Sequence, residues 1–490
     1  MKKNKYQYRF LLGLMISFLL FLTSCAHFFD ESSQDEIKPS SVADIKAMMY
    51  KEAYPYLFTS STYLNLLTDE IQCNGMLDAT YAPQHKAGTP IFTFDPTMFD
   101  AINLIPDESN SWKLIYEKIM GCNVVKDYLP KVSGTDTEKN ALLGQVLFLR
   151  AFYYLKLAMI YCQPYNGKNI NPDTAMGLSL QLVMDVSDKF PSRTTLRATY
   201  AQIEKDLLES ASLLKDNYKA DSPFRVDQLA ANILLSRLYL YMGRTEDMAN
   251  VVKYADLAMA QGPSLTNFAS FKSQFGSEGV YNIDISPEVV WAYGSPSYSN
   301  GTYYIQTLAA SGETPPYVTS NALKNLYDAN DLRLASFFSG GTFYTYKVGA
   351  SFYNYGDSGI RMAEVYLNRA EALIRQYKID GDQAKCTKAL NDLNTLRRSR
   401  YDSQTYTDIN ITDPDALLAF CLQERQRELC LEEGFRWSDI KRLGLSVSHH
   451  YIDANGNGKN YTLESNSLLY ALPIPYDAID RNNKLVQNPR

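Results

Sequence analysis

Residues 140–161 read NALLGQVLFLRAFYYLKLAMIY, an almost continuous apolar run in which Arg150 and Lys156 are the charged residues. The run is too long for a typical strand, and its apolar residues fall on every face of a helix. A helix with this pattern is buried on most sides. The stretch therefore predicts a central, buried helix in a mainly α-helical protein.

Helical spacing continues beyond this run. Residues 199–214 place Ile203, Leu207, Ala211 and Leu214 on one stripe. A last long helix is predicted from Asp413 to Glu433, because a capping residue followed by Pro414 is typical of a helix start. From residue 41 onward, most of the chain therefore reads as helix.

Two pairs of adjacent helices are predicted, residues 227–242 with 246–260 and residues 360–377 with 382–399. The first pair turns at Gly243, and small residues such as Ser236 and Ala255 allow its helices to approach closely. This arrangement is similar to a degenerate tetratricopeptide unit. The predicted fold class is a tetratricopeptide-like helical-repeat scaffold, an α–α superhelix.

Residues 262–355 differ from the rest because they are rich in Gly, Ser, Asn and Tyr. Short strands and long loops fit this composition better than helices. Loops of this length in a compact protein tend to carry function. We therefore expect an irregular, loop-rich insert that forms a ligand-binding face on the helical scaffold.

The N-terminus has the three parts of a secretory signal: a basic start, the apolar segment 10–22 and small residues before Cys25. The segment Leu22-Thr23-Ser24-Cys25 resembles the lipobox of bacterial lipoproteins, in which the cysteine becomes a lipidated N-terminus. The prediction is a signal peptide at 1–24, a lipidated flexible tether at 25–40 and one domain at 41–490. An ordinary signal peptide with an incidental cysteine is the alternative.

The net charge excludes some partners. Removing residues 1–24, which hold four basic and no acidic residues, moves the formal charge from −6 to −10. An acidic protein is poorly suited to bind nucleic acid or anionic lipid, so we expect membrane association through the anchor alone. The other cysteines show no C-x-x-C spacing, which gives no support to a zinc or redox site. One disulfide remains open, with no pair assigned.

Three carboxylates lie four residues apart at Glu424, Glu428 and Glu432. A glycosidase needs two carboxylates at a defined separation, so this row invites a catalytic interpretation. Arginines and lysines surround the row, however, and like charges at this spacing repel each other unless cations answer them. We interpret the row as structural ion pairing and expect no enzyme activity. An exported α/α glycoside hydrolase or lyase is the alternative.

The segment from Asp453 matches the calcium loop of the EF-hand in spacing. Asp453, Asn455 and Asn457 provide oxygen atoms at positions one, three and five, and Glu464 stands at position twelve. A polar hairpin turn explains most of the same residues. No cofactor is expected to be required, and a structural calcium ion at these residues is a hypothesis to test.

Aromatic side chains of the irregular regions are the candidate ligand contacts, because aromatic faces pack on sugar rings while polar side chains bind hydroxyl groups. The chain has 37 tyrosines, most of which are expected to fill helix interfaces. The candidate aromatic contacts are Trp291, Tyr293, Tyr298, Tyr303, Tyr304 and Tyr81, with His85, and the candidate polar contacts are Asp69, Asn74 and Asp78.

Several segments, read in order, are similar to the SusD/RagB family of outer-membrane nutrient-binding lipoproteins. The strongest is the block 424–442, with ERQREL, EGFRW and DIKR. The others are Phe28-Phe29-Asp30, residues 112–123, 147–154, 361–372 and 389–397, Leu472-Pro473-Ile474-Pro475 and Gln487-Asn488-Pro489. Residues 68–105 and 280–310 show no family pattern. Because relatives hold ligand in those regions, the ligand stays open.

The resemblance implies one α-rich domain with four tetratricopeptide-like helix pairs. It also implies a non-catalytic protein, lipid-anchored in the outer membrane and exposed at the cell surface. Such a protein binds an oligosaccharide or polysaccharide and presents it to a TonB-dependent, SusC-like transporter. A peptide ligand is the close alternative, and a scaffold that binds only protein is a third hypothesis.

Overall fold

The computed structural model describes residues 39–56, 62–100, 110–184, 190–271, 279–294, 315–338, 347 and 358–490. Most of these residues are helical. The helices are α1 Val42–Met48, α2 Ala82–Phe92, α3 Ser111–Tyr128, α4 Asp136–Tyr161, α5 Leu196–Asn217, α6 Gln228–Met242, α7 Asp247–Met259, α8 Phe268–Phe271, α9 Asn321–Lys324, α10 Leu332–Phe337, α11 Met362–Asp380, α12 Gln383–Arg398, α13 Pro414–Leu429, α14 Phe435–Leu443 and α15 Tyr476–Arg481. The strands are β1 Ile71–Cys73, β2 Val289–Tyr293, β3 Tyr317–Thr319, β4 Ser358–Arg361, β5 Val447–Ile452 and β6 Gly458–Leu463.

Helix α4 is the central helix that the apolar run predicts. A capping box starts it, in which the backbone N–H of Glu138 donates to Thr135 and the Glu138 carboxylate accepts from the backbone N–H of Thr135. Every residue from Gly144 to Ala158 is buried. The helix is long and apolar enough to cross a membrane, but its faces are covered by protein, as expected of a core helix.

The predicted helix pairs form and stack on one another. Helices α6 and α7 pack as one pair and α11 and α12 as another, while α11 also contacts α7 and α13. Helix α4 packs against α3 and α5. Gly243 and Gly381 end α6 and α11 in the left-handed conformation, each with φ of 68°, which glycine adopts without steric cost. The tetratricopeptide-like helical fold is therefore confirmed.

Helix α13 ends at Leu429, four residues before the predicted end at Glu433. The prediction of its end is wrong because Leu431 and Glu433 adopt left-handed backbone angles, with φ of 61° and 55°. Buried contacts hold both conformations. The Leu431 N–H donates to Glu70 at 2.8 Å, and the Glu433 carboxylate binds Lys156 Nζ at 2.8 Å. Buried hydrogen bonds and charges thus override helix continuation.

The strands of the described part form three antiparallel pairs, β1 with β3, β2 with β4 and β5 with β6. Strands β2 and β3 lie inside the predicted irregular region 262–355. Residues Ser41–Arg490 group into one compact unit. The predicted signal peptide, Cys25 and most of the tether lie outside the described residues. The six cysteines within them are buried free thiols, so no disulfide forms there.

Candidate functional site

The segment that follows the 3₁₀ helix Thr62–Leu67 carries five of the predicted ligand contacts. Strand β1 pairs with β3, with Cys73 opposite Tyr317, and α2 begins at Ala82, eight residues after Asn74. The hairpin β5–β6 packs beside β1. Asp69, Asn74, Asp78, Tyr81 and His85 all lie in this segment.

Three of these five residues are structural. The Asp69 carboxylate is bidentate to Arg436, at 2.7 and 2.6 Å, which ties β1 to α14. Tyr81 and His85 are buried, with 6% and 4% of their surfaces exposed. Asn74 and Asp78 are half-buried, and Asp78 accepts the Thr80 N–H at 2.8 Å as a helix cap. As ligand contacts, Tyr81 and His85 are wrong, because no ligand reaches a buried ring.

His85 is part of an aromatic stack between α2 and the hairpin. Its ring lies 6.0 Å from the Tyr317 ring and 5.4 Å from the Tyr451 ring, nearly parallel to both. Its Nε2 atom is 2.9 Å from the backbone oxygen of Ile452. The hydroxyl of Thr89 lies 3.0 Å from that of Tyr451. These contacts fix the hairpin against α2 and leave the imidazole no free face.

Trp291 and Tyr293, predicted as ligand contacts, lie in the hydrophobic core. Trp291 is fully buried, with its ring centroid 5.4 Å from Phe148 and 5.0 Å from Phe152. Tyr293 is 4% exposed and packs 5.5 Å from Phe152. Both predictions are wrong, because β2 turns these rings onto α4 rather than toward solvent. Tyr298, Tyr303 and Tyr304 lie outside the described residues.

The predicted calcium ligands do not converge. Asp453, Asn455 and Asn457 form the turn of the β5–β6 hairpin, and Asp453 accepts hydrogen bonds from the backbone N–H groups of Asn455 and Asn457, each at 2.8 Å. Glu464 follows the last residue of β6 and lies at the far end of that strand from the turn. At roughly 3.4 Å per residue, the distance along the strand from Gly458 to Glu464 is about 20 Å. These contacts agree with the alternative of a polar hairpin turn, and the calcium site stays a prediction.

The carboxylate row on α13 is buried among cations. Glu424 binds Arg333, Arg397 and Arg427, while Glu428 binds Arg333, Arg361 and Arg400. Burial alone would raise the pKa of Glu424, but its three arginine partners lower the pKa to about 2. The structural interpretation is confirmed. The expected partners were mostly wrong. Of the arginines close to the row in sequence, only Arg427 binds one of its carboxylates in the described structure.

A cluster that sequence reasoning missed lies on the surface after α1. The tyrosine–arginine cluster consists of Tyr50, Tyr54, Tyr56 and Arg225. The Arg225 guanidinium carbon is 3.8 Å from the Tyr50 ring centroid, 5.2 Å from that of Tyr54 and 5.6 Å from that of Tyr56. Tyr56 is 37% exposed and Tyr50 is half-buried, so aromatic surface faces solvent here.

Local chemistry positions the cluster. Helix α1 continues into one π-helical turn, Met49–Ala53, and Pro55 then forces Tyr54 into an extended conformation with ψ of 144°. The Tyr54 hydroxyl donates to Gln145 on α4 at 2.8 Å and accepts the Val226 N–H at 3.2 Å. This buried anchor fixes the segments that carry Tyr56 and Arg225. The spacing Tyr-x₃-Tyr-Pro-Tyr is visible in sequence, but its partner arginine lies far along the chain.

Strand β2 ends beside this cluster. The Gly294 N–H donates to the backbone oxygen of Pro55 at 3.1 Å, and the Ala292 N–H donates to that of Pro223 at 2.7 Å. The segments that carry the cluster are therefore hydrogen-bonded to the end of β2. An aromatic face with a stacked guanidinium beside it can bind a sugar ring by packing and hold its polar groups by hydrogen bonds.

Comparisons with known proteins agree with this architecture. The profile described as "Starch-binding associating with outer membrane" matches residues 28–240, and that of the SusD family matches residues 288–490. A SusD-like protein of Formosa agariphila is 24% identical over 399 residues, covering 70% of this chain and 75% of that protein. The starch-binding protein SusD of Bacteroides thetaiotaomicron is 35% identical over 132 residues, covering 26% of this chain and 20% of that protein.

Solved structures of similar fold cover almost the whole chain. A SusD-like carbohydrate binding protein from Bacteroides vulgatus has a TM-score of 0.66 at 21% identity, covering 91% of this chain and 98% of that one. A SusD superfamily protein from Bacteroides thetaiotaomicron has a TM-score of 0.68 at 20% identity, covering 92% and 100%. The fold and the two profile matches, which lie in consecutive parts of the chain, lead to one conclusion. This protein belongs to the SusD/RagB family.

Proposed function

We propose that this protein is a non-catalytic, cell-surface lipoprotein that binds an oligosaccharide or polysaccharide. In this proposal Cys25 carries the lipid anchor in the outer membrane, and the bound glycan passes to a TonB-dependent, SusC-like transporter. Family membership supports outer-membrane association and carbohydrate as the ligand class, since one matching profile is described by both. The single observation from the structure that carries binding is the exposed Tyr56 beside the stacked Arg225.

The absence of catalysis is proposed from the acids that a hydrolase would use. Glu424, Glu428 and Glu432 are buried and face cations, so none of them is free to donate a proton to a glycosidic bond. Glu70 keeps a raised pKa of about 8, caused by burial and by Asp69, but its side chain is also fully buried. These positions favour a structural role for each of the four acids.

Affinity electrophoresis of the full mature chain against a panel of polysaccharides tests the binding proposal. We expect one glycan class to retard the wild-type protein, and Tyr56→Ala to lose most of that retardation without release of oligosaccharides. Tyr476→Ala is the matched control, because Tyr476 is 50% exposed and lies elsewhere on the surface. Retardation by oligopeptides instead of glycans would favour the peptide-binding alternative, and released products would overturn the non-catalytic proposal.

The anchor and the partner need separate measurements. Metabolic labelling with a fatty acid tests lipidation, with Cys25→Ser expected to abolish the label. Protease treatment of intact cells tests surface exposure. Affinity purification from solubilised outer membranes is expected to yield a TonB-dependent β-barrel in near-stoichiometric amount, identified by mass spectrometry. A tagged protein recovered without a β-barrel would count against the transporter part of the proposal.

A further inference from the structure

We propose that the tyrosine–arginine cluster selects anionic glycans, with the carboxylate of a uronic acid or a sulfate ester bound by Arg225 while the sugar ring packs on Tyr56. This inference rests on the proposed function, because it assigns the ligand class of the same surface. It starts from an arginine whose surroundings differ from those of almost all other arginines in the described part of the chain.

Arginines in this protein are nearly always paired with acids. Of those that the structure describes, three have no described carboxylate within 4 Å: Arg193, Arg225 and Arg481. Arg193 is satisfied by backbone and amide oxygens, including Gly177 O at 2.7 Å and Asn488 Oδ1 at 2.7 Å. Arg481 is exposed to solvent. Arg193 and Arg225 are both half-buried, but Arg225 is stacked on aromatic rings, and the Phe224 oxygen is its one backbone acceptor in the described part of the chain.

Asp221 and Asp227, the acids nearest to Arg225 in sequence, do not pair with it. Asp227 caps α6 by accepting the Leu229 N–H at 3.0 Å, and its other oxygen accepts the Ala220 N–H at 3.3 Å. Asp221 is exposed and is not within salt-bridge distance of the guanidinium. Lys46 adds a second cation, with Nζ 5.7 Å from the Tyr50 ring centroid. The cations described over the Tyr50 ring are therefore Arg225 and Lys46.

Stacking holds the guanidinium in place. The plane lies over Tyr50 at 3.8 Å, and Arg225 Nη1 donates to the backbone oxygen of Phe224 at 2.9 Å. Burial alone would lower the pKa of Arg225, but the hydroxyls of Tyr50, Tyr56 and Tyr54 outweigh it, so the pKa is raised and the charge is permanent. A fixed planar guanidinium matches the two oxygens of a carboxylate or sulfate group.

The ring attached to the anion has a surface to occupy. Tyr56 presents aromatic surface to solvent, and its ring centroid is 5.6 Å from the guanidinium carbon. A uronic acid carries its carboxylate directly on the sugar ring, so one residue can pack on the tyrosine while its anion reaches the arginine. A neutral sugar would use only the first of these contacts.

The overall negative charge of the protein does not prevent an anionic glycan from binding at the tyrosine–arginine cluster. The mature chain, without residues 1–24, has a formal net charge of −10, which repels a polyanion at long range. At physiological ionic strength, exposed charges farther away than about 8 Å are largely screened. The local cations Arg225 and Lys46 therefore decide the sign of the interaction at the cluster. We expect binding to weaken as salt is raised, unlike binding of a neutral glycan.

Isothermal titration calorimetry of the full mature chain in detergent tests the inference. The acidic probes are oligosaccharides of polygalacturonate, alginate and chondroitin, together with sulfated neutral oligosaccharides. The uncharged counterparts of the polygalacturonate oligosaccharides are their methyl esters. We expect at least one acidic probe to bind about tenfold or more tightly than its uncharged counterpart, the size of one charge-assisted contact. Arg225→Gln is expected to remove this preference and Arg225→Lys to keep part of it, with Arg481→Gln as the matched control.

The outcomes separate the two proposals. A preference for sulfated over carboxylated probes that depends on Arg225 identifies the sulfate ester as the anion. Equal affinity for acids and esters, a preference that survives Arg225→Gln, or no binding of any acidic probe would overturn the inference. Binding of a neutral glycan that Tyr56→Ala abolishes would leave the proposed function standing while the anionic assignment fails. No glycan bound at all would overturn both.

Discussion

Two groups of arginines in this protein have opposite surroundings. Beneath α13, Arg333, Arg361 and Arg400 are fully buried and each faces at least two carboxylates. In the tyrosine–arginine cluster, Arg225 is half-buried against aromatic rings, with no described carboxylate within 4 Å. The same side chain thus serves as internal structure in one place and is available to a ligand in the other.

The two groups differ in how the water lost by the guanidinium on burial is replaced. A buried cation is tolerated when acids and carbonyl oxygens replace the water it loses, and Arg400 has Glu288, Glu428 and the Thr266 oxygen for this. Arg225 keeps part of its water and gains an aromatic face. A set of partners that is complete identifies a structural charge, and an incomplete set beside exposed aromatic surface identifies a candidate binding residue.

The same substitution in both regions gives the largest expected contrast. Arg400→Met leaves Glu288 and Glu428 short of a partner in the core, so we expect the free energy of unfolding to fall by about 3–5 kcal/mol. Arg225→Met is expected to lower it by about 1 kcal/mol or less, the loss of one cation–π contact. Urea denaturation of both variants measures this. Equal losses of stability would show that Arg225 is as structural as Arg400.

An aromatic pair sharpens the comparison. Trp291→Ala removes a fully buried ring from the core, with an expected loss of about 3–5 kcal/mol, while glycan affinity of the folded fraction is unchanged. Tyr56→Ala is expected to do the reverse, with a small change in Tm and a clear loss of binding. Thermal unfolding and calorimetry on the same preparations separate the two. Loss of binding in folded Trp291→Ala would restore Trp291 as a ligand contact.

The scaffold was predictable because its signals are local. The apolar run 140–161, the cap at Asp413-Pro414 and the turn at Gly243 each specify a nearby backbone conformation. The end of α13 was not predictable, because Glu70 and Lys156, distant in sequence, hold the left-handed residues there. Helix bounds that depend on local sequence are therefore predicted correctly. A helix end that depends on tertiary contacts, such as that of α13, is not.

The site was harder to predict for a related reason. An aromatic in a loop-like composition looks the same whether it faces solvent or the core, and Trp291 and Tyr293 face the core because β2 pairs with β4 over α4. Arg225 shows no local pattern that links it to Tyr50 and Tyr56. Only the folded structure shows which charged side chains have partners. The cluster was therefore found from the contacts of Arg225 in the structure and not from a sequence motif.

Glu70 is an acid with an incomplete set of partners, and it extends the comparison from arginines to carboxylates. It is fully buried with no described cation within 4 Å, and its Oε1 atom has no hydrogen-bond partner in the described structure. Burial and Asp69 raise its pKa to about 8. The folded state therefore binds more protons than the unfolded state between about pH 4.5 and 8, and stability falls as pH rises through that window, by at most about 1.4 kcal/mol per pH unit.

Glu70→Gln removes this titration while it keeps an acceptor for the Leu431 N–H. We expect the variant to match the wild type in urea denaturation at pH 5 and to be more stable at pH 8 to 9. Asp415→Asn is the control, since this exposed acid is paired with Lys378 at the surface. A stability difference of equal size at every pH would show that the Glu70 carboxyl does not titrate in this range.

The smallest effect is expected at an acid whose partners are complete without any cation. The Asp453 carboxylate accepts two backbone N–H groups and the Asn457 side-chain amide at 3.1 Å, which lowers its pKa and occupies both of its oxygens within the turn. Calcium at about 1 mM, enough to fill a weak extracellular site, is therefore expected to leave Tm unchanged. Asp453→Ala should lower Tm less than Arg225→Met does. A rise in Tm with calcium that Asp453→Ala abolishes would mean that this turn reorganises around the ion, and a complete set of internal partners would then no longer identify a purely structural charge.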